Sequence, residues 1–155
     1  MQRILFVCLG NICRSPTAEA VFRARAQAAG LAEIEVDSAG TGDWHIGDPP
    51  DPRAIAAAKA RQYDLTMLRG RQVTADDFYR FSHIMAMDRQ NLADLEMLAP
   101  ADARTELQLF LTYAGKGNAD IPDPYFGGEG GFDRVLDLIE AASDGLITAL
   151  QQPKP

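Results

Sequence analysis

Residues Arg3 to Val7 read Arg-Ile-Leu-Phe-Val, and the chain runs straight on into Cys8-Leu9-Gly10-Asn11-Ile12-Cys13-Arg14-Ser15-Pro16. A short run of β-formers without polar alternation is the pattern of a strand buried on both faces, the usual state inside a parallel sheet. Serine followed by proline signals a helix start, with Ser15 able to cap and Pro16 suited to the first helical position. Thr17 to Ala29 is alanine-rich, carries Glu19 in its first turn and meets a stop at Gly30. The chain therefore opens as strand, tight loop and helix, a unit that belongs to α/β sheets.

The pattern then repeats. Ile34 to Ala39 alternates as a half-buried strand and ends in Gly40 and Gly42. Pro52 to Arg61 reads as a helix capped by Asp51, and Phe81 to Met87 as a further strand. Asp88 caps a helix with Leu92, Leu95 and Leu98 on one face, and Met87 is placed to staple against Leu92. Glu106 to Leu111 is a weaker apolar run. Asp133 to Leu150 closes the chain as an amphipathic helix with Val135, Leu138, Ile139, Ala142 and Leu146 on its buried stripe. Strands alternating with helices predict a doubly wound parallel sheet with helices on both faces. The 155 residues, 46% of them hydrophobic, suit one domain over 1–155 with a frayed tail at 151–155.

Composition narrows the function classes. A formal net charge of −7 with no basic stripe argues against a nucleic-acid partner. No apolar run reaches the roughly 18 residues of a membrane span, and the N-terminus lacks a signal-sequence pattern. Both cysteines, Cys8 and Cys13, lie close together at the amino end, which fits chemistry in a reducing cytoplasm better than a secreted disulfide framework. His45 and His83 have no partner at metal-ligand spacing, Gly127 to Gly131 is not a dinucleotide fingerprint, and no Gly-Lys-Ser/Thr follows a glycine loop. No metal and no cofactor is expected.

The loop after the first strand carries the chemistry. Cys8 stands at the strand's carboxyl end, where open α/β sheets bind ligands. The next helix points its free N–H groups and partial positive charge back at the loop. A small loop containing Gly10 can wrap its amides around an anion, and Arg14 adds a planar fork for two phosphate oxygens. The same field favours thiolate over thiol. A cysteine alone is as often inert core, but with Gly10, Arg14 and Ser15-Pro16 around it the pattern is that of a nucleophile aimed at phosphorus.

At Val7-Cys8-Leu9-Gly10-Asn11-Ile12-Cys13-Arg14-Ser15-Pro16 the chain resembles the low-molecular-weight protein tyrosine phosphatase family. The resemblance continues at Asp37-Ser38-Ala39-Gly40, Asp43-Trp44, Asp51-Pro52-Arg53, Arg71-Gln72-Val73, Met87-Asp88, Asn91-Leu92 and Asp123-Pro124-Tyr125. It implies a sheet of four parallel strands flanked by helices, and hydrolysis of phosphotyrosine through a cysteinyl-phosphate. By this resemblance Cys8 is the nucleophile. Arg14 and the amides of Leu9, Gly10, Asn11, Ile12, Cys13, Arg14 and Ser15 bind the phosphoryl group, and Asp123 is general acid and then base. Ser15 bonds the sulfur, Asn11 and Ser38 support the loop, and Trp44 and Tyr125 wall the substrate cleft. Cys13 resembles the family's second loop cysteine, which pairs with the nucleophile under oxidants; a small packing residue beneath the loop is the other reading. Residues alone make Asp123, in Pro122-Asp123-Pro124, a turn residue, and a lone tryptophan a core residue, although the glycines and aspartates around Trp44 favour a rim. Phosphotyrosine proteins or peptides are the expected partners, inorganic phosphate the product, and a monomer or weak self-association the expected state.

Two departures stand out. Some relatives carry a histidine just before Arg71-Gln72-Val73 that supports the loop, where this chain has Leu68-Arg69-Gly70; and Phe126 follows Tyr125 where some have a second tyrosine. Arsenate reduction on the same fold needs further relay cysteines, and none follows Cys13. The alternatives are protein arginine phosphatase activity, whose known loops carry threonine where this one has apolar Ile12, and a catalytically silent phosphate-binding module.

Overall fold

The opening apolar run forms β1 (Gln2–Cys8), and it lies in the middle of the sheet, as its lack of polar alternation predicts. In the computed structural model, which describes residues 2–31, 33–117, 119–125 and 130–152, β1 pairs on one side with β2 (Ile34–Gly40) and on the other with β3 (His83–Ala86). β4 (Glu106–Leu109) lies beyond β3, so the described residues build a four-stranded parallel sheet in the order β2-β1-β3-β4. Alternate β1 side chains serve two cores. Ile4, Phe6 and Cys8 pack with Val36, Met85 and Met87 beneath α1 (Arg14–Ala28) and α5 (Gly131–Gln151). Leu5 and Val7 pack with Ile84, Ala86 and Leu95 on the other face, covered by α3 (Asp77–Arg80) and α4 (Arg89–Leu98). α2 (Pro52–Ala60) lays Ala54 and Ala58 against Ala20 of α1 and Leu65.

This connectivity positions the site. The chain leaves β1 for β2 at one edge, then crosses to β3 on the opposite side of β1. The carboxyl end of β1 therefore lies where the strand order reverses, the crevice in which open sheets hold ligands. The caps expected of Asp51 and Asp88 both form: Asp51 accepts from Arg53 N at 2.8 Å and Asp88 from Asn91 N at 2.7 Å. Gly30 ends α1 with φ of +82°, a left-handed conformation that costs glycine little.

Several expectations change. α1 begins at Arg14 rather than Thr17, and Ser15 does not cap it, because its hydroxyl is engaged by Cys8 and Asn11. Phe81 precedes β3 as the cap of the short α3, which the sequence reading does not anticipate. The staple between Met87 and Leu92 does not form. The alternation of β3 runs on through Met87, whose N–H bonds Val7 O at 3.0 Å, and sends Met87 to the α1–α5 core while Leu92 packs on the opposite one. Leu98 stays 40% exposed. β4 stops at Leu109, and Phe110–Ala114 coil into a 3₁₀ turn whose Phe110 ring meets Phe6 at 4.9 Å. In the stripe of α5, Val135, Ile139, Ala142 and Leu146 are buried as read, while Leu138 is only partly buried against the same core. Gln151, assigned to a frayed tail, is the last residue of α5 and bonds Ala29 O at 3.2 Å. Residues 153–155, and of the glycine stretch 127–129, lie outside the described residues.

Candidate active site

Leu9 to Cys13 carry the chain from the end of β1 into α1 in one tight loop. Its curvature brings Asn11 to φ of 58°, a left-handed conformation that asparagine tolerates better than most residues. Three bonds hold Asn11 there: Nδ2 donates to Ser15 Oγ at 2.7 Å and to Ser38 Oγ at 3.1 Å, and Oδ1 accepts from Arg71 N at 2.9 Å. Gly40, the last residue of β2, lets the loop lie this close. A Cβ there would stand 2.8 Å from Leu9 O and 3.2 Å from the Asn11 Cβ.

The direction of the hydrogen bonds follows from donor counting. Glu19 is buried and can only accept when ionised, so Ser38 donates to Glu19 Oε1 at 2.8 Å. Ser38 in turn accepts from Asn11, which fixes the amide with its NH₂ toward the two serines. Ser15 also accepts from Asn11, and its own proton is left for Cys8 Sγ at 3.0 Å, or for Ala39 O at 3.3 Å. The sulfur takes a second bond from Asn11 N at 3.3 Å. Cys8 thus sits 2% exposed, with Ser15 Oγ and the Asn11 N–H both within hydrogen-bond reach of its sulfur.

Arg14 faces the same space from the first turn of α1 and is 3% exposed. Its Nη1 is fully used, on Asp88 Oδ2 at 2.6 Å and Ile121 O at 3.0 Å. That leaves the Nε and Nη2 edge of the guanidinium as a fork for an oxyanion. Burial opposes the charge, but Cys8, Asp88 and Asp123 outweigh it and hold the Arg14 pKa above its ordinary value. Among the described residues, nothing accepts a hydrogen bond from the N–H of Leu9, Gly10, Ile12, Cys13, Arg14 or Ser15. The loop is thus a cradle of unpaired amides at a helix N-terminus, an anion site by construction.

Cys8, Leu9, Gly10, Ile12, Cys13, Arg14, Trp44, Asp123 and Tyr125 line one cavity of about 170 Å³, with His45 as a further wall. Asn11, Ser15 and Ser38 stand buried behind it. Asp123 reaches the cavity through Oδ2, 3.5 Å from Arg14 Nη2, while Oδ1 accepts from Tyr125 N at 3.0 Å. Asp123 makes a turn bond and also lines the cavity. Trp44 is 68% exposed, on the rim and not in a core. Cys13 is 5% exposed; burial, then the charges of Asp51, Cys8 and Asp123, push its thiol up to about 12. Two nearby carboxylates in the sequence, Asp120 and Asp133, are held by Arg89 and Arg61. His45 pairs with Asp48 at 3.1 Å and His83 with Glu106 at 3.2 Å.

Comparison with known proteins agrees with this geometry. The family model described as low molecular weight phosphotyrosine protein phosphatase matches residues 3–155. This chain belongs to that family. A low molecular weight protein-tyrosine-phosphatase of Streptomyces coelicolor is 44% identical over 155 residues, covering 97% of this chain and 94% of that one. A crystal structure of a protein tyrosine phosphatase from Entamoeba histolytica superposes with a TM-score of 0.92 at 38% identity, covering 97% of each chain. The Drosophila arginine phosphatase superposes with a TM-score of 0.93 at 34% identity, covering 99% of this chain and all (100%) of that one. Membership makes the protein a phosphatase. No helix among the described residues is long and apolar enough to cross a membrane.

Within this phosphatase, the Arg71 segment supports the loop through its main chain. The Arg71 N–H holds Asn11 Oδ1, and Arg71 is itself fixed by Asp37 at 3.1 Å and Asp77 at 3.0 Å. Phe126 lies outside the described residues. Sequence reasoning missed four contributors. Asp88 reads as a helix cap yet also orients Arg14. Glu19 reads as a first-turn residue yet ends the Ser38–Asn11 chain. His45 lines the cavity. Arg53, bound to Asp51 at 2.9 Å, stacks 5.4 Å from the Tyr125 ring and donates to Tyr125 O at 3.2 Å, which ties the Asp123 segment to α2. The only signal for Asp88 and Arg53 was their place in matched motifs; Glu19 and His45 had none.

Proposed function

We propose that this phosphatase hydrolyses phosphotyrosine in proteins, with Cys8 as nucleophile, Arg14 and the loop amides binding the phosphoryl group, and Asp123 moving the proton. What carries the reading is one juxtaposition: the Cys8 sulfur, the free edge of Arg14 and the Asp123 carboxyl meet in a single cavity. The Cys8 thiolate attacks phosphorus and the P–O bond to the tyrosine breaks, while protonated Asp123 gives its proton to the leaving phenolate oxygen. The Asp123 carboxylate then takes a proton from water, whose oxygen attacks phosphorus and breaks the S–P bond, releasing phosphate and the thiolate. Charge on the equatorial oxygens is met throughout by the Arg14 fork and the unpaired amides of Leu9, Gly10, Ile12, Cys13, Arg14 and Ser15.

The shape of the pocket supports an aryl substrate. Trp44 and Tyr125 flank the mouth as aromatic walls for a phenyl ring, and Ile12 presents an apolar surface inside. The likeness to the Drosophila arginine phosphatase keeps phosphoarginine as the second reading, and the apolar Ile12 is the observation against it. Cys13 belongs to the same proposal as a resolving thiol for an oxidised Cys8. Both cysteines are free and buried, as a reducing cytoplasm keeps them. The experiment is phosphate release from matched phosphotyrosine, phosphoserine and phosphoarginine peptides by wild type, Cys8→Ser and Asp123→Asn. Release from phosphotyrosine alone, lost in the first variant and slowed in the second, is expected. Preference for phosphoarginine moves the reading to the sister activity, and no release from any peptide overturns both.

A further inference from the structure

A second groove opens on the far side of Trp44. Its volume is about 470 Å³ against about 170 Å³ for the catalytic cavity, and Leu9 and Trp44 wall both. Val73 and Leu95 are its buried apolar lining, and Asp94 and Leu98 of α4 line it together with Trp44. Three of these apolar side chains stay wet: Leu9 is 40%, Trp44 68% and Leu98 40% exposed. Single exposed apolar residues are ordinary, but several around one concavity that continues into a reaction site mark a binding surface.

We propose that this groove binds an apolar side chain of the phosphoprotein substrate, two residues away from the phosphotyrosine. The inference rests on the phosphotyrosine reading above and adds the sequence context. At about 170 Å³ the catalytic cavity is of the size of one phosphorylated side chain, so the rest of a protein substrate continues over its rim. In an extended chain, residues two apart point the same way at about 6.6–6.8 Å. A substrate with its phosphotyrosine on one side of Trp44 therefore brings the second residue along to the other side of the indole. Among the described residues Asp94 is the only ionisable side chain lining the groove, with Oδ1 accepting from Gln90 Nε2 at 3.0 Å, and the whole chain carries −7. An acidic residue at that substrate position is disfavoured, and an apolar one covers Leu9, Trp44 and Leu98.

The test uses phosphotyrosine peptides carrying Leu, Ala or Asp two residues before or two after the phosphotyrosine, with wild type, Leu98→Ala and Leu98→Lys. p-Nitrophenyl phosphate, which has no flanking residues, is the control. At one of the two positions wild type is expected to favour Leu over Ala by about tenfold in kcat/KM, equivalent to about 1.4 kcal/mol. Leu98→Ala should cut that preference to threefold or less, Leu98→Lys should raise the rate on the Asp peptide, and p-nitrophenyl phosphate turnover should not move. Leu and Ala peptides within twofold at both positions, or a preference unchanged in Leu98→Ala, overturns the groove while leaving phosphotyrosine hydrolysis standing. Failure to turn over any phosphotyrosine peptide, with p-nitrophenyl phosphate still hydrolysed, overturns both. Sedimentation showing a dimer that Leu98→Lys splits, without a peptide preference, reassigns the face to a second copy of this chain and overturns the proposal.

Discussion

Replacing Ser15 by alanine removes the hydroxyl 3.0 Å from the Cys8 sulfur and leaves every other group in the pocket in place. A charged sulfur can only accept, so the hydroxyl then turns its proton from Ala39 O to the sulfur and the bond strengthens. A hydrogen bond to a charged group contributes about 1.5–3 kcal/mol. Charge leaves the sulfur as it attacks phosphorus and returns to it as the cysteinyl-phosphate is hydrolysed. The hydroxyl therefore lowers the barrier of the second step, and its loss should slow that step by roughly 10- to 150-fold. The assay is rapid-mix hydrolysis of p-nitrophenyl phosphate. Ser15→Ala should show a burst of p-nitrophenol stoichiometric with enzyme, then a slow steady state that does not depend on the leaving group. Stability supplies a separate readout. Asn11 Nδ2 loses its 2.7 Å acceptor in the buried loop, at a cost of about 1–3 kcal/mol, and each kcal/mol lowers Tm by about 2–4 °C in a chain of this size. A variant without a burst, or with kcat within twofold of wild type, refutes the assignment of the Ser15 proton to the sulfur.

Asp123→Asn removes the only carboxyl that lines the catalytic cavity among the described residues and should lower kcat on phosphotyrosine by about 10²–10⁴; a chromogenic phosphate with a more acidic phenol should lose less, and equal losses refute the proton-donor role. Gly40→Ala sets a Cβ 2.8 Å from Leu9 O, and a backbone clash of that kind costs about 1–3 kcal/mol, so Tm and turnover should fall together. Hydrogen bonds from Arg53, opposed by burial, hold the Asp51 pKa below its ordinary value. The stability it contributes is therefore complete above about pH 4 and lost as pH falls through the lower folded-state value; thermal melts of wild type and Asp51→Asn should converge below that range, and a constant gap between them counts against the linkage. With its thiol pushed up to about 12, Cys13 is a slow partner for an oxidised Cys8, so after a peroxide pulse intact-mass analysis should show the disulfide closing faster as pH rises; closure independent of pH refutes this.

The central strand and the cysteine loop are legible in the sequence for one reason: the strand, the anion loop and the start of α1 are contiguous, so local patterns and chemistry coincide in residues 3–16. Asp88 and Arg53 are different. Each has a complete local explanation, as a cap for α4 and as the partner of Asp51, and nothing local hints that Asp88 also grips Arg14 from 74 positions away. Glu19 is similar: its pairing with Arg23 one turn on at 2.5 Å is a helix pattern, and its second bond, to Ser38, exists only because β2 lies beside β1. The Met87–Leu92 staple fails by the same rule in reverse, since the register of the sheet overrides a contact that local spacing allows.

The misplaced start of α1 shows how the fold and the chemistry constrain each other. Ser15-Pro16 has the chemistry of a cap, and a capping hydroxyl would accept from an N–H two or three residues on. Here the hydroxyl turns back to Cys8 and Asn11, the helix starts earlier with Cys13 at its cap position and no side-chain bond there, and the N–H groups of Arg14 and Ser15 stay unpaired. A satisfied helix terminus would stabilise the apo protein by about 1 kcal/mol, but it would occupy a donor that the phosphoryl oxygens need. The missing cap is offset elsewhere, by the three bonds of Asn11, the Thr17 Oγ1 bond to Cys13 O at 2.6 Å and the close fit of Gly40. A loop left short of partners on its inner side and over-determined on its outer side is a rigid cradle, able to meet a phosphoryl group without rearranging.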